Sequence, residues 1–344
     1  MRNYRHILVA FLLSLPLLWS CEKTLSGEEG ETVDIVLQIG MKSSDGASTK
    51  ADENVLSYEG IRTLRVLVIS DAVQPTDRKI LYNIKYEIDV NNKPTSATLS
   101  TNLPLENIPV GKASIYLIAN EESIGIEYTD KVLMDPKYKY DNKLLLLDEG
   151  WKHFPKTYDE IAEYGLPMSG RVEGVDISSS STKISVELER AVVKLHLTVE
   201  NATSDVLVLN WVKFGKFISD RVYLFRQSEL DIPSDTKYKE LRYPEDESNT
   251  LNVTLAEKAQ TQWNPVYIYP NFAYKDPTGS NPYTLSLATN KKVYSPSLIS
   301  SNMNSMVRNT QFNILARITA SATIDISYSY VPWTDVNVDV PPFN

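Results

Sequence analysis

Apolar residues recur at every second position through much of this 344-residue chain. That is the period of a strand with one buried face. The first such run is Val33, Ile35, Leu37, Ile39 and Met41. A polar stretch follows it, Lys42-Ser43-Ser44-Asp45-Gly46-Ala47-Ser48-Thr49-Lys50-Ala51. Its turn composition and lack of an apolar anchor predict an exposed segment open to proteases. Ile61–Ser70 and Ala113–Ala119 are nearly continuous apolar runs, and the second is β-branched and aromatic enough for a central strand. Ile84, Tyr86, Ile88 and Val90 alternate again. Ala97–Leu103 reads as a short strand, with turns at Pro104 and Pro109-Val110-Gly111. The span from Glu121 to Gly165 is the least strand-like. It predicts one helix over Tyr158–Tyr164, with Thr157 and Glu160 at capping-box spacing and Gly165 as its stop. Leu144–Leu147 reads as buried packing, and a turn over Gly165–Gly170 leads to a strand at Arg171–Val175.

Ser178-Ser179-Ser180-Ser181-Thr182 is the clearest break in composition, and the domain linker is expected there. Beyond it the alternation restarts with Ile184, Val186, Leu188, then Val193, Leu195, Leu197 and Val199, with a corner or bulge at Glu189-Arg190. Further strand candidates are Val206–Phe217, Arg221–Phe225, Leu251–Leu255, Val266–Tyr269, Tyr283–Ala288, Gln311–Thr319 and Thr323–Val331, while Leu230–Asn249 reads as a polar surface excursion. Short strands at this spacing, separated by turn residues, indicate an all-β chain of sandwiches or barrels with few short helices. The expected division is an N-terminal domain over 51–180 and a C-terminal domain over 181–344. After a Pro332-Trp333 break the tail alternates once more, with Val336, Val338 and Val340 apolar and Phe343 close behind.

Composition changes this picture mainly by exclusion. A net charge of −9 argues against nucleic acid. One cysteine excludes an internal disulfide framework and a multi-cysteine zinc site. No GxSxG, HExxH, P-loop or GxGxxG motif is present. His196 falls between Leu195 and Leu197 and so faces opposite to them, while His153 has no ligand-type neighbour at metal spacing. The acidic run around Asp130, Asp135 and Asp141 lacks the glycine and terminal glutamate of a calcium loop. No enzyme, cofactor or metal is expected.

The one cysteine has a particular place. Arg2, Arg5 and His6 precede an apolar stretch, Ile7–Leu18, too short for a comfortable membrane span, and the stretch ends at Leu18-Trp19-Ser20-Cys21. This is similar to a bacterial lipobox, so residues 1–21 read as a lipoprotein signal peptide with Cys21 as the acylated residue, palmitate being the expected chain. Residues 22–50 then comprise an acidic tether and the first strand. Lipid at one end and a protease-sensitive segment at the other make Val33–Met41 a removable strand.

Several stretches together resemble one family. They are the lipobox at Cys21, Thr49-Lys50-Ala51 after the first strand, and Val110-Gly111 followed by Ile115–Asn120. Leu166-Pro167-Met168-Ser169-Gly170, Leu188–Lys194 and the tail from Val331-Pro332-Trp333 to Phe343 complete the set. In order and spacing they look like the FimA/Mfa-type fimbrial subunits of Bacteroidota, the type V pilins. The resemblance implies two tandem transthyretin-like β-sandwich domains and export to the outer membrane as a lipoprotein. It implies cleavage by a trypsin-like protease, here between Lys50 and Ala51, and polymerisation by donor-strand exchange into an extracellular fimbrium that supports adhesion. The donor residues would be Trp333, Val336, Val338, Val340 and Phe343. The partners would be other copies of this chain and related anchor and tip subunits. A tip or accessory subunit, and a glycan-binding surface lipoprotein using exposed Tyr and Trp, are the alternatives.

Overall fold

The first alternating run becomes strand β1 (Thr32–Met41), with Ile35, Leu37 and Ile39 buried as the pattern predicts and Val33 and Met41 half-buried where the strand emerges. The computed structural model describes residues 31–42, 59–72, 77–88, 98–99, 101–135, 161, 163–180, 183–226, 232–233, 235–273, 282–301, 303, 305–321, 323–333 and 337–338.

Seven further strands complete the first half: β2 (Thr63–Ser70), β3 (Ile80–Glu87), β4 (Thr98–Leu99), β5 (Thr101–Pro109), β6 (Gly111–Ala119), β7 (Met168–Ile177) and β8 (Lys183–Arg190). All but β4 form one sheet in the order β3-β2-β6-β7-β8-β1-β5. Strands β7 and β8 are joined only at Met168–Arg190 and Ser169–Glu189, so the sheet bends there and encloses one core. The bend needs a close approach. A Cβ on Gly170 would lie 2.2 Å from the Glu187 carbonyl oxygen, so the glycine of the Leu166–Gly170 motif is sterically required. The apolar runs of β2 and β6 are buried almost throughout: residues 121–135, with the short helix α1 (Asp130–Leu133), pack on β2, and Phe225 packs on Tyr116 of β6.

Two expectations in this half are corrected. Ile84 is 43% exposed, because β3 is the edge of its sheet. Pro104 does not end a strand; it lies inside β5 opposite Val36, and an edge strand tolerates a residue without an N–H. The predicted helix is described only at its last turn. There Ile161 is buried and Gly165, at φ 75°, donates to the Ile161 carbonyl, the stop expected of it. Val90, Leu144–Leu147 and the Thr157/Glu160 box lie outside the described residues.

The second half contributes β9 (Val193–Asn201), β10 (Leu207–Ser219), β11 (Tyr238–Tyr243), β12 (Val253–Leu255), β13 (Ala259–Gln262), β14 (Val266–Ile268), β15 (Thr284–Thr289), β16 (Val293–Leu298), β17 (Thr310–Ile318), β18 (Ile324–Pro332) and β19 (Asn337–Val338). One sheet runs β11-β10-β15-β16 with β12 also on β10, and the other β13-β9-β17-β18 with β14 also on β9. Val193, Leu195, Leu197 and Val199 point into the core between them. The pattern missed β11, β13 and β16, short strands dominated by polar or exposed residues, and Leu230–Asn249 therefore carries β11 rather than being wholly an excursion. Arg221–Phe225 forms no strand; it crosses back so that Val222, Leu224 and Phe225 join the first core.

The serine run is not where the chain changes cores. It connects β7 to β8, and Ile184, Val186 and Leu188 of β8 belong to the first core. The passage falls between Val192, in the first core, and Val193, in the second; the Glu189-Arg190 pair, expected as a corner or bulge, is the end of β8. Composition marks solvent exposure, and a hairpin loop is as exposed as a linker.

Candidate functional site

β1 is an internal strand of its sheet. It pairs antiparallel with β5 from Thr32–Pro109 to Ile39–Thr101, and parallel with β8 from Val36–Lys183 to Met41–Leu188. Both edges are therefore bonded, although β8 lies far along the chain. Burial of its three inward side chains contributes about 1.5–3 kcal/mol each, so roughly 5–9 kcal/mol before ordering costs. At its end, the Lys42 N–H donates to the Leu188 carbonyl at 2.8 Å, and the Lys42 carbonyl accepts from Asn309 Nδ2 at 2.8 Å. The exit of β1 is thus held by both halves of the molecule.

Cys21, Lys50 and Ala51 lie outside the described residues. Where description resumes, Glu59 is fully buried. Its carboxylate pairs with Lys194 Nζ at 2.7 Å and accepts from the Tyr267 hydroxyl. Trp333 stacks on Tyr267 at 6.0 Å between ring centroids and is itself buried at 3% exposure. The Arg190 guanidinium lies over the Trp333 ring at 4.4 Å and donates to Asn309 at 3.1 Å. The residue that begins the tail, the first described residue after Lys50 and the Asn309 clamp on β1 are therefore joined in one buried cluster. A buried cation–π contact of this kind is worth about 2 kcal/mol. Of these residues only Trp333 was expected to have a functional role; Arg190 and Lys194 entered only as part of the Leu188–Lys194 stretch. A signal for two others existed, since Arg190 and Lys194 interrupt an otherwise apolar stretch.

Beyond Trp333, β19 pairs parallel with β4, Asn337 beside Thr98 and Val338 beside Leu99. Val336, Val340 and Phe343 lie outside the described residues. Downstream of Lys50 the next basic residues are Arg62 and Arg65. Arg65 is buried at 5% exposure and gives a two-pronged ion pair to Glu121, Nε to Oε2 at 2.7 Å and Nη2 to Oε1 at 2.5 Å. The Arg62 N–H is bonded to Asn120 Oδ1 at 2.7 Å. Proteolysis at either position would require β2 to open.

His196 stands on the outer face of β9, with Gln262 Nε2 at 3.4 Å from its Nδ1. Burial, and secondarily the Lys194 charge, push its pKa down to about 4. Above the unfolded value near 6.5 the ring is neutral in both states. As pH falls from about 6.5 toward 4 the unfolded chain takes up the proton first, so the His196 contribution to stability is lost over that window. Melting temperatures at pH 7 and pH 4.5 check this: His196→Gln is expected to shrink the difference between them. An undiminished difference would remove His196 as a cause.

These features define a protein of two β-sandwiches with an internal, N-terminal strand and a C-terminal tail anchored by an aromatic residue. Sequence comparison matches no protein-family model and no curated relative. Solved structures do match. The tip fimbrial protein Mfa3 from Porphyromonas gingivalis, with C-terminal truncation, is 14% identical, with a TM-score of 0.54 over 88% of this chain and 100% of that one. A candidate cell-adhesion protein from Parabacteroides distasonis is 12% identical, with a TM-score of 0.53 over 90% and 99%. Another from Bacteroides eggerthii is 11% identical, with a TM-score of 0.50 over 88% and 97%. The chain has the all-β fold of these proteins along nearly its whole length.

Proposed function

We propose that this chain is a structural, non-catalytic subunit of a surface fimbria. In this reading it is exported as an outer-membrane lipoprotein through Cys21 and cut by a trypsin-like protease after Lys50. It then polymerises by strand exchange into an extracellular fibre. The observation that carries the reading is the seat of β1, internal to its sheet and linked to both sandwiches through the segment that holds Lys50. While that link is intact, tethering gives β1 an effective concentration above that of any strand from another chain. Cleavage ends the advantage. Departure of β1 then bares an apolar slot and two unpaired strand edges, which invite an extended segment from elsewhere.

Val336, Val338 and Val340 offer such a segment the alternation that Ile35, Leu37 and Ile39 supply, with Phe343 beyond. Trp333, expected among the donor residues, is seated in its own chain; it is donated only if that seat is given up, whereas the tail from Val336 onward does not require this. Head-to-tail contacts of this kind do not close on themselves and so build filaments. The partners are further copies of the chain and related anchor and tip subunits. The shared fold with the tip protein supports the reading, and the alternating tail favours a shaft subunit over a tip.

Amino-terminal sequencing of protein released from the cell surface, with negative-stain microscopy before and after limited trypsin, tests it. The released chain is expected to begin at Ala51, with filaments only after cleavage. A chain beginning at Cys21 that forms no filaments after trypsin would overturn the proposal in favour of a surface binding lipoprotein.

A further inference from the structure

The second sandwich has an opening that its fold does not need. On β9, pairing with β13 stops at Thr198–Gln262 and pairing with β14 begins only at Leu195–Val266. On the facing sheet, β10 pairs with β11 up to Val212–Tyr243 and with β12 from Leu209–Val253. Each sheet therefore has a broken edge strand, and the two breaks face one another across the core. A cavity of about 330 Å³ opens between them.

Its floor is core, Leu195, Leu197, Val212 and Phe214, each no more than 7% exposed. The rest of its lining comes from the breaks, Trp263-Asn264-Pro265 with Val266 on one side and Tyr243 with Leu251 on the other; Asn264 is exposed and Trp263, Tyr243 and Leu251 are half-buried, so the cavity opens there. Among the described residues lining it there is no Asp, Glu, Lys, Arg or His, and the lining residues with polar side-chain groups are Tyr243, Trp263 and Asn264. Elsewhere the same core is filled by packed aromatic rings, Phe214 on Phe217 at 4.9 Å and Phe217 on Tyr283 at 5.8 Å. The gap follows from the two breaks and is not a property of the whole sandwich.

We infer that this cavity is a binding site for a small, uncharged, largely apolar molecule with one polar end, its body between the sheets and its polar end at Asn264. The volume sets the size, since an apolar cavity of about 150 Å³ holds benzene. Roughly twice that volume takes a bicyclic ring system or a medium-length acyl chain, and it lies at the lower end of the ~300–1,000 Å³ range of ligand pockets. The lining sets the charge, because an ionised group buried among Leu, Val and Phe would have no counter-charge. The broken edges set the class. A peptide binding by strand addition needs a continuous row of free backbone groups, and at both breaks the row is interrupted. The Trp263 N–H is spent on the Leu197 carbonyl at 3.0 Å and the Leu251 N–H on the Asn210 carbonyl at 2.8 Å. The inference stands independently of the fimbrial reading.

Fluorescence titration of the full chain with the neutral bicyclic probe 6-propionyl-2-(dimethylamino)naphthalene tests it. One probe per chain is expected, displaced by decanol and at least tenfold less well by decanoate. Leu251→Trp narrows the mouth at a half-buried loop position and is expected to weaken binding at least tenfold with an unchanged melting temperature. Val212→Phe fills the floor with the same effect, and if it does not fold the Leu251 variant decides alone. No saturable probe binding, or wild-type binding by a folded Leu251→Trp chain, overturns the site. Equal displacement by decanoate overturns the uncharged class. Displacement by a synthetic peptide of residues 334–344 and not by decanol assigns the cavity to a chain segment and overturns the small-molecule reading.

Discussion

Lys50→Ala is expected to leave a folded chain that no longer forms filaments on exposure to a trypsin-like protease. Lys50 is the sole basic residue between Lys42 and Arg62. Its basic neighbours are poor substrates for a physical reason: Lys42 is bonded through its N–H to Leu188 and through its carbonyl to Asn309, and Arg65 is buried against Glu121. Without the cut, β1 keeps its tethered advantage over any donor. The melting temperature should stay within a degree or two of wild type, because the substitution touches none of the β1 pairings. Lys50→Arg is expected to restore assembly. Filaments from the alanine variant in wild-type amounts would place the cut elsewhere or make it unnecessary.

Removal of residues 334–344 is expected to abolish assembly while both sandwiches remain folded. The starting point matters. Val331 and Pro332 pair with Gln311 and Thr310 of β17, and Trp333 packs on Tyr267 beneath Arg190. A truncation that took these residues would dismantle the junction. Loss of Trp333 alone should cost about 3–5 kcal/mol, a melting shift of several degrees in a chain of this size. Past Trp333 the described tail pairs with β4 through β19, a two-residue ladder, and the melting temperature of the truncated chain is expected to stay close to wild type. After cleavage the truncated chain still offers an empty slot but no donor. Mixed with cleaved wild type it should act as a chain terminator, shortening filaments in proportion to its mole fraction. Filaments of normal length from the truncated chain alone would refute the donor role of the tail.

Much of the local structure was legible in the amino-acid sequence alone. Period-two apolarity located β1, β8 and β9 and assigned the right side chains to the core, since the pleat alone decides which residues share a face. The turn glycine at Gly165 was legible for a similar reason, being a local demand of a helix end. Edge strands and polar strands were read less well. Ile84 is exposed and β11 was missed, because the same pleat is buried or bare depending on what lies beside it.

The site depended on the tertiary structure in the same way. That Val33–Met41 forms a one-sided strand was written in its alternation. That it lies inside a sheet, parallel to a strand contributed by Lys183–Arg190, depends on contacts between residues far apart in sequence, which no local period encodes. The crossing between cores at Val192–Val193, and not at the serine run, has the same origin, since composition reports exposure and packing decides membership of a core. Glu59, Lys194, Tyr267 and Trp333 come from four separate places in the chain, and only folding brings them together. The alternation determined which side chains could be buried; the pairing of distant strands decided where, and against what.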